Sequence, residues 1–439
     1  MKTKVLAVFD KVEEPIGGAE YASLSFLRFL KPQYEIVLLC RRCNYEIINR
    51  FIPRAKVLNV RSLNRYPTIK ALQLVSSLLE KITLVYVPRM AFWISSLALR
   101  KGKPVITHLH DHFTLCPYPH KLKILNKTLR EISICYDKPS ISCFKCLLKY
   151  KNAILELTRS TGVETRLKAR TLLSCLADSL LAKKYFTWLS KSNTIIVSSN
   201  AHKNYVMTIA SKILEQDKEK LRELERKITV VPNPIPENIH AKDKKYITNT
   251  LLYVGGMNIA KGISFIAKLA SKLTSKYHEA ELIVNVTKEQ IQQVIWKMYG
   301  KSISGNVNAV GKLSKESVLK YMGKSLAILF PYMGLPNFTS YVVVEAALSA
   351  RPFIAPNIGG IGEYWKTLPT RIKDVVLYEH SNYRNFESKV FSILTFTRDE
   401  IYDVGCYLRE FVIKKCSNEK LYEKFNRIFD ALASEPLSK

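Results

Sequence analysis

Leu251-Leu-Tyr-Val-Gly-Gly-Met-Asn-Ile-Ala-Lys-Gly262 decides how the chain is read. A short apolar run, Leu251–Val254, meets a glycine pair, Gly255-Gly256, and a helix begins near Gly262. On that helix Ile263, Ile266, Ala267, Ala270 and Leu273 share one face at helical spacing. The first half opens with the same design. Val5-Leu-Ala-Val-Phe9 is an unbroken apolar run, as expected of a central strand buried on both faces. Gly17-Gly18 follows, then a helix predicted over Ala19–Leu30.

Further strand-like runs in the first half are Glu35–Cys40, Lys56–Val60, Leu84–Val87, Val105–His110 and Thr194–Ser198. The second half adds Leu282–Val286, Asn308–Val310, Leu326–Phe330, Phe353–Ala355 and Val375–Tyr378, with helical patterns between. Such alternation predicts an α/β protein, a parallel sheet covered by helices in each half. With domains of about 100–200 residues as the usual size, 439 residues make two. Residues 1–232 form the first, 233–248 a linker, 249–415 the second, and 416–439 a C-terminal helix that crosses back to the first domain. The boundary falls at Pro232-Asn-Pro-Ile-Pro236, where prolines stiffen an extended segment. The charged stretch Ser211–Lys227 before it reads as a solvated helix.

Hydrophobic residues at 47% and charged residues at 24% exclude a disordered chain. The charge is lopsided: 68 Lys and Arg against 37 Asp and Glu, a net +31. A field of that sign attracts polyanions, an anionic membrane face or phosphorylated substrates. The basic residues are spread through apolar-faced helical patterns such as Lys121–Arg130 and Arg159–Lys184, and no zinc-finger pair or RNP-type strand accompanies them. Nucleic acid is therefore the weakest of the partner readings. Met1-Lys-Thr-Lys4 leads straight into a strand, unlike a signal peptide, and no apolar run reaches the roughly 18 residues of a spanning helix. Ile82–Leu99 comes nearest but holds Pro88 and Arg89. A cytoplasmic protein is expected, at most peripheral on the inner face of the cell membrane.

Several segments carry the chemistry. A helix start after a glycine pair offers backbone N–H groups to a phosphate. This applies to Gly17-Gly18, and to Gly255-Gly256, where Lys261 adds a cation. A plain turn and a surface lysine are the competing readings. Glu345 lies in the otherwise apolar stretch Val342–Leu348, where a carboxylate is costly unless paired. A ribose diol or a salt bridge would pair it. Asn357-Ile-Gly-Gly-Ile-Gly-Glu363 is a further glycine-rich loop at the same edge. In the first half, Thr107-His-Leu-His110-Asp111-His112 ends a strand at the corresponding edge, where ligands of open α/β sheets collect.

The ordered set of motifs resembles the retaining glycosyltransferase family 4 of the GT-B fold, two Rossmann-like domains facing a cleft. The pieces are Gly17-Gly-Ala-Glu20, His110-Asp111 with Cys116-Pro117, and Val231-Pro-Asn233. Then come Tyr253-Val-Gly255 with Lys261-Gly262, Val310-Gly311, and Val343-Val-Glu345-Ala346 with Gly359-Gly360 and Glu363. They run in order over nearly the whole chain. The resemblance implies a hexosyl transfer from a UDP- or GDP-sugar with retention of configuration and no metal cofactor. It implies that Gly17 and Gly18 approach the diphosphate or the acceptor, and that His110 stands near the transferred sugar. Lys261 would neutralise the leaving diphosphate, with Gly255 and Gly256 beside it, and Glu345 would hold the ribose. The backbone of Thr339, Ser340 and Tyr341 would touch sugar or phosphate. Glu20, Asp111 and His112 are acceptor-side candidates.

Two positions depart from the family's pattern. Asn337 stands eight positions before Glu345, where a second, sugar-contacting glutamate is common. Gly256 stands five before Lys261, where an arginine is common. The acceptor is read as a glycan or polyprenyl-phosphate-linked sugar. The other readings are a non-catalytic GT-B protein that binds nucleotide sugar or glycan, or a partner subunit.

Nine cysteines in a cytoplasmic chain should be largely reduced. Cys116, Cys135, Cys143 and Cys146 cluster in an insert over about 112–150, and four thiolates could hold a structural zinc. Disulfides and free thiols are the other two readings. Cys143 and Cys146 have C-x-x-C spacing; Cys40 and Cys43 form another C-x-x-C at a strand end and, without a second pair, read as structural.

Overall fold

The computed structural model describes residues 2–14, 16–61, 63, 68–88, 92–112, 115–116, 122–124, 132–140, 143–149, 176–177, 179–181, 184–276, 279–303 and 305–434. The strands of the first sheet are β1 (Thr3–Val12), β2 (Tyr34–Cys43), β3 (Lys56–Asn59), β4 (Leu84–Val87) and β5 (Val105–Leu109). A small antiparallel hairpin, β6 (Leu122–Ile124) with β7 (Ile132–Ile134), lies apart in the insert. β8 (Thr194–Val197) and β9 (Ile228–Val230) complete the first sheet, whose order is β3-β2-β1-β4-β5-β8-β9. The second sheet comprises β10 (Thr250–Tyr253), β11 (Glu281–Val284), β12 (Val307–Ala309), β13 (Ala327–Leu329), β14 (Phe353–Pro356) and β15 (Leu377–Tyr378), ordered β12-β11-β10-β13-β14-β15. Every pairing within these two sheets is parallel.

The apolar runs are central strands for a simple reason. Side chains alternate across a strand, so a strand with helices on both faces must be apolar at every position. On β1, Val5, Ala7 and Phe9 enter one core cluster, with Phe26 and Phe425. Leu6 and Val8 enter another, with Val75, Leu79 and Ile94. β10 divides likewise: Leu251 and Tyr253 face one cluster and Leu252 the other.

Three local expectations change. The charged stretch over Ser211–Lys227 is not one helix. The helix Asn200–Ile213 ends, Glu215 and Gln216 take left-handed backbone with φ of 51° and 66°, and the Asp217 carboxylate caps a second helix, Lys218–Lys227. That break turns the chain into β9, an edge strand too short to show in the sequence. Val375 and Val376 close a helix, Thr370–Val376, and only Leu377–Tyr378 is strand. Of the helix expected over Lys121–Arg130, the described part, 122–124, is strand; the rest lies outside the described residues, as does most of Arg159–Lys184.

The linker is bound to the second domain. Fully buried Arg351 donates to the carbonyls of Lys242 (3.0 Å), Ala350 (2.8 Å), Asp243 (3.0 Å) and Gly323 (2.7 Å). The charged donor finds oxygen partners in a place where an unpaired charge would be costly.

The helix Asn418–Ser434 passes back to the first sheet. Tyr422, Phe425, Phe429 and Leu432 enter the cluster of Val5 and Ala7, with Phe425 stacked on Phe26 at 4.5 Å. Asn426 accepts from the Lys31 backbone (3.0 Å) and donates to Phe29 O (2.9 Å). Asp430 accepts from Lys31 Nζ and Tyr34 Oη, each at 2.6 Å. At the crossing, the Asn418 amide pairs with Ile235 N (2.9 Å) and Ile235 O (3.1 Å), tying the two interdomain passes together. Among the described residues, no helix is long and apolar enough to cross a membrane.

Phe425→Ala empties the centre of that contact. It should cost about 3–5 kcal/mol, the usual range for an aromatic removed from a core, read as a lower denaturant midpoint with the slope unchanged.

Candidate functional site

Both sheets reverse strand order beside their first strand, β1 against β4 and β10 against β13. Ligands of open parallel sheets bind outside the strand C-termini at such a point. Gly17-Gly18 follow β1, His110–His112 follow β5, and Gly255–Lys261 follow β10. Asn337–Glu345 follow β13 and Gly359–Glu363 follow β14.

Gly17 is the N-cap of the helix Gly18–Arg28 and has no side chain to cap it. A methyl group at Gly17 would overlap the Glu20 carboxylate, and one at Gly18 would lie 3.0 Å from the Tyr341 ring. Tyr341 belongs to the second domain. Its ring meets Tyr21 edge-on at 5.2 Å, and its hydroxyl donates to Pro234 O (3.1 Å). The glycine pair thus admits the facing domain. Glu20, an acceptor-side candidate, is buried in the helix's first turn.

The three histidines separate by role. His108 is fully buried against Tyr86 Oη (Nδ1, 2.8 Å), and burial pulls its pKa well below the ordinary value. His110 Nε2 lies 2.8 Å from Ser23 Oγ, whose hydroxyl donates to Ala19 O (2.9 Å). A hydroxyl has one hydrogen, so Nε2–H of His110 must be the donor to Ser23. His112 is buried and donates through Nε2 to Leu335 O of the second domain (3.1 Å), its ring against His202 and Tyr205. Buried and bonded to a backbone carbonyl of the second domain, His112 is an interdomain tie, which corrects its reading as an acceptor contact. Asp111, half-buried, lies between these two histidines.

In the second domain the Gly255-Gly256 turn is closed by its own neighbours. Tyr253 Oη donates to Gly256 O (3.0 Å), and Gly256 N donates to Asn285 Oδ1 (2.8 Å). Gly256, at φ 62°, needs glycine for its backbone, and its N–H is already bound. The expectation that it offers this N–H to a diphosphate is corrected accordingly. Lys261 ends a one-turn 3-10 helix, Ile259–Lys261, capped by Asn258. It is half-buried, no carboxylate among the described residues pairs with it, and burial pulls its pKa down. Gly262, at φ 79°, packs on Pro331 O where a side chain would collide.

Glu345 is 3% exposed and pairs with Lys315 Nζ from the helix Lys315–Met322. Burial outweighs that pairing and raises its pKa above the ordinary 4.5. The Thr339 hydroxyl accepts from Trp365 Nε1 (2.9 Å). Ser340 is the N-cap of the helix Tyr341–Leu348 and makes no side-chain cap bond. The Asn337 carbonyl accepts from Ser199 Oγ of the first domain, while its buried Oδ1 has no partner among the described residues.

Sequence reading missed the interdomain ties. Glu363 accepts from Asn200 N (3.0 Å), Asn200 Nδ2 (3.0 Å) and Ala201 N (2.5 Å), so a second-domain carboxylate caps a first-domain helix. A carboxylate is favourable at a helix N-terminus. Ser199 caps the helix that Asn200 opens, and nothing local to either points to a partner at position 363.

The insert cysteines each have their own surroundings. Cys116 joins the apolar cluster of the second domain, Cys135 approaches Asp137 Oδ2 (3.8 Å), and Cys143 Sγ accepts from Ser140 N (3.5 Å). Cys146 is half-buried. Among the described residues, no three His, Cys, Asp or Glu side chains gather to hold a metal ion. The four thiols do not fit a zinc site in this geometry.

Residues 248–395 match the family model of glycosyl transferases group 1. No curated protein matches the chain. Solved structures share the whole fold. HepE from Anabaena, in complex with UDP-glucose, has 10% identity and a TM-score of 0.62, over 98% of this chain and 99% of that one. TarM from S. aureus, in complex with UDP, has 13% identity and a TM-score of 0.61, over 99% and 100%. WaaG, a glycosyltransferase involved in lipopolysaccharide biosynthesis, has 13% identity and a TM-score of 0.58, over 97% and 99%. The chain therefore has the GT-B fold, two Rossmann-like domains facing each other. Its second domain is similar to the glycosyl transferases group 1 over residues 248–395.

Glu345→Gln provides a test through pH. A carboxyl whose pKa is raised on folding loses stabilisation as pH climbs from 4.5 through the folded value, because the unfolded chain releases its proton first. Lys315 stays half in water and loses little. The Gln variant should gain thermal stability relative to the parent as pH rises from 4 to 7; a constant difference would contradict the buried carboxylate.

Proposed function

We propose that the protein is a glycosyltransferase that moves a hexosyl group from a UDP- or GDP-sugar, with retention of configuration, to a glycan or polyprenyl-phosphate-linked acceptor at an anionic membrane face. The observation that carries the donor half is Glu345: a buried carboxylate at the switch point of the second sheet, with Lys315, half exposed, as its ion-pair partner. A ribose diol displacing that lysine would offer two hydroxyl donors to the same oxygens. Lys261, on the loop after β10, is the cation for the diphosphate, whose charge grows as the bond to the sugar breaks. The N-terminus of the helix Tyr341–Leu348, which Ser340 does not cap, adds backbone N–H groups. His110, held by Ser23, stands at the facing edge of the first domain. The UDP-glucose in HepE and the UDP in TarM support a uridine donor. The reading of the reaction requires no metal.

Asn337 favours a second reading, a GT-B protein that binds nucleotide sugar without turning it over. Its carbonyl is tied to Ser199 and its amide carries no charge. Screening UDP- and GDP-sugars by thermal shift and by hydrolysis separates the two. Turnover supports the first, stabilisation without turnover when lipid-linked acceptors are supplied supports the second, and no binding removes both. If the first holds, Lys261→Ala should cost about 10²–10³-fold in kcat, the usual loss of a group that stabilises developing charge. Asn337→Glu should then change the preferred donor sugar.

The acceptor half rests on the net charge of +31. The protein should pellet with anionic vesicles at low salt and be released by about 1 M salt, where screening shortens to about 3 Å; sedimentation indifferent to lipid charge would remove the membrane from the reading.

A further inference from the structure

A cavity opens where the two domains meet the crossing segment, and neither Lys261 nor Glu345 lines it. Ser198 and Pro232, at the C-terminal ends of β8 and β9, form its first-domain wall. Phe338 and Gly360, following β13 and β14, form its second-domain wall. Lys414, Lys415 and Lys420, around the start of the helix Asn418–Ser434, form its floor. Both sheets thus present strand C-termini to it, the edge where parallel sheets bind ligands.

Two independent observations define what the cavity would take. The first is charge. A neighbouring groove shares Glu363, Lys414 and Lys415 with the cavity and adds Lys366 and Glu410. Four lysines (366, 414, 415, 420) therefore stand against two glutamates (363, 410), a surplus of two. Both glutamates are already engaged, Glu363 with the backbone of Asn200 and Ala201 and Glu410 with Lys414. The Lys415 ammonium is held over the Tyr364 and Phe411 rings, at 4.6 and 4.9 Å, and donates to Tyr364 O. The second is a hydroxyl. Ser198 is 1% exposed, lines the cavity, and its Oγ has no hydrogen-bond partner among the described residues. A buried hydroxyl left unsatisfied is unfavourable, so a group that accepts from it is stabilised there. Its neighbour Ser199 is already spent, donating to Asn337 O and accepting from His202 N (3.0 Å).

We propose that this hinge cavity is a second anion site, binding a phosphate group between Ser198 of the first domain and Lys415 and Lys420 of the crossing segment. A phosphate oxygen accepts from the Ser198 hydroxyl while the ammonium groups neutralise the others. Because the walls belong to different domains, the bound anion favours the arrangement that keeps both walls in reach, and so favours the closed cleft. The site is independent of the donor reading, since it uses neither Lys261 nor Glu345.

Calorimetric titration of the full chain with inorganic phosphate and with pyrophosphate tests it. Saturable binding is expected, weakened about tenfold or more by Ser198→Ala and by Lys420→Ala, the loss of one charge-assisted contact being worth that much. Ser198→Ala removes a single oxygen and Lys420 is exposed, and unchanged melting temperatures would show that the fold is intact. Lys261→Ala should leave phosphate binding unaltered, and UDP binding should survive Ser198→Ala. Phosphate binding abolished by Lys261→Ala, binding indifferent to both hinge substitutions, or no saturable binding at all would each overturn the proposal. Phosphatidic acid vesicles form a second arm. Vesicle binding that free phosphate displaces and Lys420→Ala weakens assigns the phosphate to a lipid headgroup; phosphate binding without vesicle binding assigns it to a soluble ester.

Discussion

A parallel sheet has two apolar faces, and each must be covered. The first sheet cannot cover itself from its own sequence neighbours: part of the face carrying Val5, Ala7 and Phe9 is closed by Phe425 and Phe429, from the far end of the chain. That requirement sends the helix Asn418–Ser434 back across the hinge. It also makes two domains one unit, because the first domain's core is completed only after the second has been built. The Asn418–Ile235 pairing follows, holding the outgoing and returning passes side by side.

The same crossing defines how the domains face each other. Leu335 O receives His112, Asn337 O receives Ser199, and Glu363 caps the helix Asn200–Ile213. Two of the three ties use backbone carbonyls of one loop, 335–337, which leads directly into the helix carrying Glu345. Closure and the position of Glu345 are thereby mechanically linked. Tyr341, at the start of that helix, rests on Gly18 and Tyr21, so the contact between glycine pair and helix also depends on the angle between domains.

What could be read from the residues depended on range. Central strands such as Val5–Phe9 and Leu251–Val254 were legible because burial on both faces leaves an unbroken apolar run. Glu345 and Lys261 were legible because a charge in apolar surroundings, or after a glycine pair, is locally anomalous. The edge strand β9 was not, since three residues beside a charged helix leave no periodic signal. Gly256 and His112 were misjudged for a different reason. Each has a donor suited to a ligand, and each gives it to Asn285 or Leu335, partners chosen by packing.

By itself the sequence determined the two α/β halves, their strand–glycine–helix openings and the placing of Lys261 and Glu345 after the first and fourth strands of the second sheet. These follow from periodicity, glycine's backbone freedom and the cost of burying charge, all local to a few tens of residues. Only the tertiary structure decided which polar groups remain available: it paired Glu345 with Lys315, closed the Gly255-Gly256 turn, turned His112 into an interdomain tie and left Ser198 facing the hinge cavity. A hydrogen-bonding group carries no mark of its partner, and the partners lie as far as 223 residues away for His112 and 399 for Lys31, brought within reach by the return of the chain across the hinge.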